Sequence, residues 1–202
     1  VRKRVMAEMA ASRNLRGWDL TGADLSGLDL AGAHLEDALM ERANLTGANL
    51  AGANLSNAVL AHADLVSTNL QGAVLRRANL GSARMEKADF ESADLGEAIF
   101  ARSALSEVSW RNARLDDVRL EEAQMASVDC SGARADSMLV FNQLDLRGFC
   151  FAGARLKLAA FIECDLRGVD FSGAVFEKCA FVSIKAAGAR FGGLQITSGC
   201  FA

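Results

Sequence analysis

The 202 residues carry 22 Lys and Arg against 25 Asp and Glu, a net charge of −3, and 51% of them are hydrophobic. A charge so near balance excludes a strong general attraction to nucleic acid or to an anionic membrane surface. No run of apolar residues approaches the roughly 18 that a membrane-spanning helix needs, and no signal peptide is visible.

Residues 1–13 form the first predicted element. Val1, Val5 and Met9 recur at i, i+4 and i+8, with Met6 alongside, which reads as a short amphipathic helix. Its expected role is to cap the segment that follows or to link it to an upstream domain. The chain opens on Val1, not Met, and so reads as a piece of a longer protein.

Residues 14–135 repeat a five-residue unit, clearest in Ala43-Asn44-Leu45-Thr46-Gly47-Ala48-Asn49-Leu50-Ala51-Gly52. From Leu15 to Ala135, every fifth residue is a centre. These 25 centres hold 17 Leu, three Met, two Phe, one Trp, one Cys and one Ala, and 17 of the residues two places earlier are Ala. A period of five advances about 140° per unit on an α-helix and flips face on a strand, so neither element keeps the Leu on one side. The chain must turn a corner every five residues with the same two positions inward, which is a solenoid.

The motif resembles that of the pentapeptide-repeat family, A-(D/N)-L-x-x. That resemblance implies an all-β fold, a right-handed quadrilateral parallel β-helix with four units per coil. Asp19, Asp24, Asp29, Asn44, Asn49, Asn54, Asp64, Asn69, Asn79, Asp89 and Asp94 precede centres. Because they recur with the period, they are expected to be solvated or to bond turns, not to catalyse. Around 108–130, Val108, Val118 and Val128 replace Ala, and wider coils without a break are expected.

At 136–140 the frame slips by one residue, and a bulge or small loop is expected to absorb it. From Phe141 the second run, 141–202, is richer in Phe. At four units per coil, Phe90, Trp110, Phe151, Phe171 and Phe191 fall on one side and Phe100, Phe141, Phe161, Phe181 and Phe201 on the opposite one, as two internal aromatic ladders. The centres amount to about nine coils. No C-terminal cap is visible, so the last coil is a candidate homodimer surface.

The five cysteines, Cys130, Cys150, Cys164, Cys179 and Cys200, contain no C-x-x-C pair. They read as buried free thiols, with zinc or redox pairing the lesser alternative. Reduced thiols suit the cytoplasm, here a bacterial one, with a secreted effector as the alternative setting. No nucleophile–base arrangement, metal motif or phosphate loop is present, and a closed, filled solenoid is expected to have no cleft. The expectation is therefore a non-enzymatic module with no catalytic, cofactor or metal site. It binds a protein partner and neither contacts nucleic acid directly nor spans a membrane.

One side carries Leu39, Val59, Ile99, Ile162 and Val182 at outward positions, an apolar stripe and candidate protein interface. The resemblance suggests a scaffold within a larger bacterial protein, with a secretion-system adaptor or effector as a setting. It also offers an alternative. Some family members mimic duplex DNA and engage DNA gyrase, which needs a dominant acidic face, and here basic residues such as Arg76, Arg77 and Arg84 interrupt it.

Overall fold

The computed structural model describes residues 1–201, with only the backbone of Cys200 and Phe201. The thiol of Cys200 and the ring of Phe201 therefore lie outside the described side chains, and Ala202 outside the described residues. Helix α1 spans Arg2–Ala11 and buries Val5 completely, with Met9 packed partly against the same core. Its apolar face is narrower than the sequence spacing suggests, since Val1 and Met6 are exposed. The helix is tied down instead by Arg2, whose Nη1 donates to the Ser26 carbonyl at 2.8 Å, and by Arg4, whose guanidinium lies 5.2 Å from the centre of the Trp18 ring.

Beyond α1 the chain is a parallel β-solenoid. One side climbs through Asn14, His34, Asn54, Val74, Asp94, Arg114 and Arg134, each bridged in parallel to the next. Short strands develop toward the C-terminal part: β1 (Ala104–Ser106), β2 (Gln124–Ala126), β3 (Arg134–Ala135), β4 (Leu139–Asn142), β5 (Arg155–Lys157), β6 (Ala159–Ile162), β7 (Val175–Glu177), β8 (Ala180–Val182), β9 (Gln195–Thr197) and β10 (Cys200–Phe201). They form two parallel four-stranded sheets, β4-β6-β8-β10 and β3-β5-β7-β9, and the pair β1-β2.

The repeat dictates the corners. After nearly every centre the second residue takes a left-handed conformation, and at most corners the third donates back to the centre, as Ala48 N–H does to the Leu45 carbonyl at 2.9 Å. This is the φ > 0 requirement of a type II turn. Gly47, at φ +63°, meets it without steric cost. Among the described residues fourteen glycines have positive φ, and of the 23 non-glycine residues that do so, all but Arg13 occupy that same corner position. Each non-glycine residue there costs on the order of 1 kcal/mol, which the stacking of coils must offset.

The preceding Asp or Asn closes each corner from outside. Oδ1 of Asp19, Asn44, Asn69 and Asp94 accepts the N–H two residues on at 3.0–3.1 Å. The same holds for every one of the eleven Asp and Asn singled out in the first run. They bond turns, and none of them is gathered into a site. Inside, Thr68 and Ser103 stand where Ala is usual and are satisfied by the carbonyls of Leu45 and Phe100.

The two aromatic ladders are continuous only above the frame slip. Phe141, Phe161 and Phe181 stack at 4.9 Å and Phe151, Phe171 and Phe191 at 5.5 Å, with nearly parallel rings throughout. Lower down, Leu120 and Cys130 occupy the intervening rungs. Phe90, Phe100 and Trp110 meet there edge to face across the core instead of along it.

Candidate protein interface

The five stripe residues share one side but do not form one surface. Leu39 and Val59 are bridged neighbours; Asn79 and Arg119 then interrupt the ladder on either side of Ile99. Ile162 and Val182 are paired partners in β6 and β8. Leu39 is 45% exposed, while Val59, Ile99, Ile162 and Val182 are half-buried. The structure thus groups Leu39 with Val59 and Ile162 with Val182.

A cleft of about 850 Å³ lies between the two halves of the stripe. Its origin is the slip. Asp129 pairs with Cys150 and Arg134 with Arg155, a step of 21 residues where other coils step 20. On the other two sides the step is not made at all. The ladder Asp19, Leu39, Val59, Asn79, Ile99, Arg119 is unbroken for five steps and then stops, and β2 has no partner above it. Two expectations are corrected here. The coils around 108–130 are broken on two sides, so the unbroken stack is about five turns, from Asp19 to Arg119, and not the nine expected, and the solenoid does have a cleft. The physical reason lies in the segment that carries the extra residue. Ser137 does not adopt the left-handed corner conformation, and the chain runs outward to Met138, which is 60% exposed.

Asp116 holds that outward path. Its Oδ1 accepts the backbone N–H of Asp136 at 2.6 Å and of Ser137 at 3.1 Å, and its carboxylate pairs with Arg114. Burial works to raise its pKa, but the hydrogen bonds from Arg114, Asp136 and Ser137 outweigh it and hold the carboxyl below the usual range. The cleft reaches the core. Val118, Leu120 and Ala123 on its lower wall are 5–6% exposed and Leu144 on its upper wall 9%, whereas most other inward positions are at 0–1%. Met138, 60% exposed, stands at the mouth.

Sequence reasoning missed Asp116, Met138 and Leu144. The signal available was the slip itself, which moves one wall of the coil by a residue while Leu120 and Phe141 remain addressed to the same side.

Charge on the outer surface is paired between coils. Arg77 meets Glu97 at 2.8 Å, Arg84 meets Asp64 at 3.0 Å and Arg190 meets Asp170 at 2.8 Å. The Arg77 hydrogen bond lowers the Glu97 pKa, and the Arg167 hydrogen bond brings Asp165 down to about 2. Burial pushes the thiols of Cys130, Cys164 and Cys179 up, which leaves them poor nucleophiles. Among the described residues no cluster of three or more His, Cys, Asp and Glu has the arrangement of a metal site. No helix there is long and apolar enough to cross a membrane.

A family model described as pentapeptide repeats matches residues 14–42, 38–77, 73–109 and 141–193 in eight copies. Among solved structures, HetL from the cyanobacterium Nostoc is similar. It is a pentapeptide repeat protein involved in heterocyst differentiation regulation, with TM-score 0.54 and 22% identity over 96% of this chain and 93% of that one. QnrB1, a plasmid-mediated fluoroquinolone resistance protein, is similar with TM-score 0.54 and 18% identity over 89% and 91% of the two chains. At these identities the likeness concerns the fold. No curated protein sequence matches significantly.

Proposed function

Given that the chain belongs to the pentapeptide-repeat family, we propose that it is a non-enzymatic protein-interaction or scaffold module that binds its partner through the side carrying Leu39, Val59, Ile99, Ile162 and Val182. The observation that carries this reading is the row of outward apolar side chains on that side, Leu39 45% exposed and Val59, Ile99, Ile162 and Val182 half-buried, with Met138 60% exposed at the cleft between its two halves. Exposed apolar surface of this kind marks binding sites more often than chance. The module belongs to a larger bacterial protein in this reading, with a secretion-system adaptor or effector as its setting.

The alternative, a DNA mimic that engages gyrase, needs a face of unpaired carboxylates. The inter-coil pairs Arg77–Glu97, Arg84–Asp64 and Arg190–Asp170 work against such a field. Affinity capture from a bacterial lysate separates the two readings, using the parent beside a Leu39→Lys, Val59→Lys, Ile99→Lys variant. Those side chains point outward, so circular dichroism should be unchanged. The expected result is a partner retained by the parent and lost by the variant. Equal capture of gyrase by both, weakening with salt, would replace this reading with the DNA mimic.

A further inference from the structure

The cleft exposes more than apolar side chains. In a parallel ladder each residue presents its N–H and C=O to the same neighbour, and alternate residues face opposite neighbours. In the intact coils the centre donates upward, as Leu80 N–H does to the Ile99 carbonyl at 2.8 Å, and so does the residue two places on, as Ser82 does to Ala101 at 2.9 Å. The equivalent groups of the broken coil are the N–H of Leu120 and Glu122, and neither reaches a carbonyl of the coil above. Across the gap, β4 pairs only with β6, in the register Val140↔Ala160. That pairing uses Leu139 and Phe141 and turns the N–H and C=O of Val140 and Asn142 back toward the gap. Two edges thus face one another, the lower with the N–H groups of Leu120 and Glu122 unbonded and the upper with those of Val140 and Asn142 turned to the gap, over an apolar floor between Leu120 and Leu144.

We propose that this cleft receives an extended segment of a partner polypeptide, which inserts as an additional strand between the Val118–Glu122 edge and β4. The inference rests on the reading of this side as the protein-binding side and names how the partner engages it. A strand is the occupant whose chemistry matches both walls. It offers carbonyls to Leu120 and Glu122 and both donors and acceptors to Val140 and Asn142, as in strand addition to an open sheet edge. A compact apolar ligand would cover Leu120 and Leu144 but leave those groups to water. The alternation of a strand directs every second side chain onto the apolar floor, so the segment has apolar residues at alternate positions. The cleft, about 850 Å³, is within the roughly 300–1,000 Å³ of ordinary ligand sites, room for a short segment and not for a folded domain.

The test uses the full chain and a displayed library of random nine-residue peptides. Enriched peptides should carry alternating apolar residues and slow hydrogen exchange at the Leu120, Glu122 and Val140 amides at least tenfold. A copy of the best peptide N-methylated at alternate amides keeps its side chains and loses backbone donors, and should bind at least tenfold more weakly. Val140→Pro removes one wall donor that has no partner in the free protein, so the fold should persist by circular dichroism while peptide affinity falls at least tenfold. Equal binding of the N-methylated copy, or unchanged affinity of Val140→Pro, would overturn strand insertion in favour of an apolar pocket. Absence of any enrichment would overturn it outright. The Leu39→Lys, Val59→Lys, Ile99→Lys variant should bind the peptide as the parent does: a peptide that binds while parent and variant capture the same proteins means that the stripe reading alone fails, and capture lost by the variant with no peptide enriched means that strand insertion alone fails.

Discussion

At the scale of the residue, the repeat assigns each side chain one task, and carboxylates illustrate it best. Asp165 accepts the backbone N–H of Arg167 at 3.2 Å and its guanidinium at 2.6–3.0 Å, with Arg147 nearby at 3.9 Å. The Arg167 hydrogen bond leads in lowering its pKa from 3.8 to about 2, against a smaller opposing effect of burial. A depressed folded pKa stabilises the fold above the ordinary value and ceases to do so as pH falls through the folded one. The contribution of Asp165 is therefore expected to be complete above about pH 4 and to be lost toward pH 2. Asp165→Asn should lower the melting temperature at pH 6 and converge on the parent near pH 2, as thermal melts across that range would show. A constant difference at all pH values would mean that hydrogen bonding, not charge, is what the carboxylate supplies. The turn-bonding role of these residues was legible in the sequence because a side chain that recurs every five residues cannot be a unique site. The specific partners were not legible, since Arg147 and Asp165 meet only once the coils are stacked.

At the scale of the element, the centres of the second run work as columns. Phe161 stacks on Phe141 and Phe181 and touches Phe151 and Phe171 edge to face. Truncating a buried Phe costs about 3–5 kcal/mol, and each favourable ring pair adds about 0.5–1.5 kcal/mol to area burial. Phe161→Ala should fall at the top of that range, measured by denaturant unfolding. Asp116→Ala acts differently. It strands the N–H groups of Asp136 and Ser137 and the charge of Arg114, and the loss of a buried charged acceptor is expected to cost about 2–4 kcal/mol. Because it releases the outward path of the chain, it should also narrow the cleft and weaken peptide binding, which Phe161→Ala should not. The columns above the slip could be read from the sequence by address alone. The break could not: position 136–140 announces an extra residue, but whether it is absorbed as a bulge or displaces two sides of a coil depends on Asp116 reaching from one coil to the next, a contact that no local pattern encodes.

At the scale of the whole molecule, stacked coils contact only their neighbours, so stability is close to a sum over interfaces between adjacent coils. Most of these interfaces are bonded on four sides. The one at the slip retains two, through Asp129 to Cys150 and Arg134 to Arg155, and is the weakest junction in the stack. Opening there costs the fewest hydrogen bonds, and local opening free energy is what amide exchange reports. Leu60 and Leu80, whose N–H groups donate to the Asn79 and Ile99 carbonyls at 2.7 and 2.8 Å, are expected to exchange orders of magnitude more slowly than Leu120, Glu122 and Val140. Amides of β6 and β8 should fall between, since they lie in a bonded sheet but on the far side of the weak junction. Native-state hydrogen exchange read residue by residue would show this order. Uniform protection from Leu60 through Val182 would mean that the two facing edges close on each other in solution. A binding strand would then have to separate them first, at the expense of affinity. The predicted order leaves them open in the free protein, so that a strand supplied from outside joins the lower and upper coils into one continuous stack and raises the protection of both.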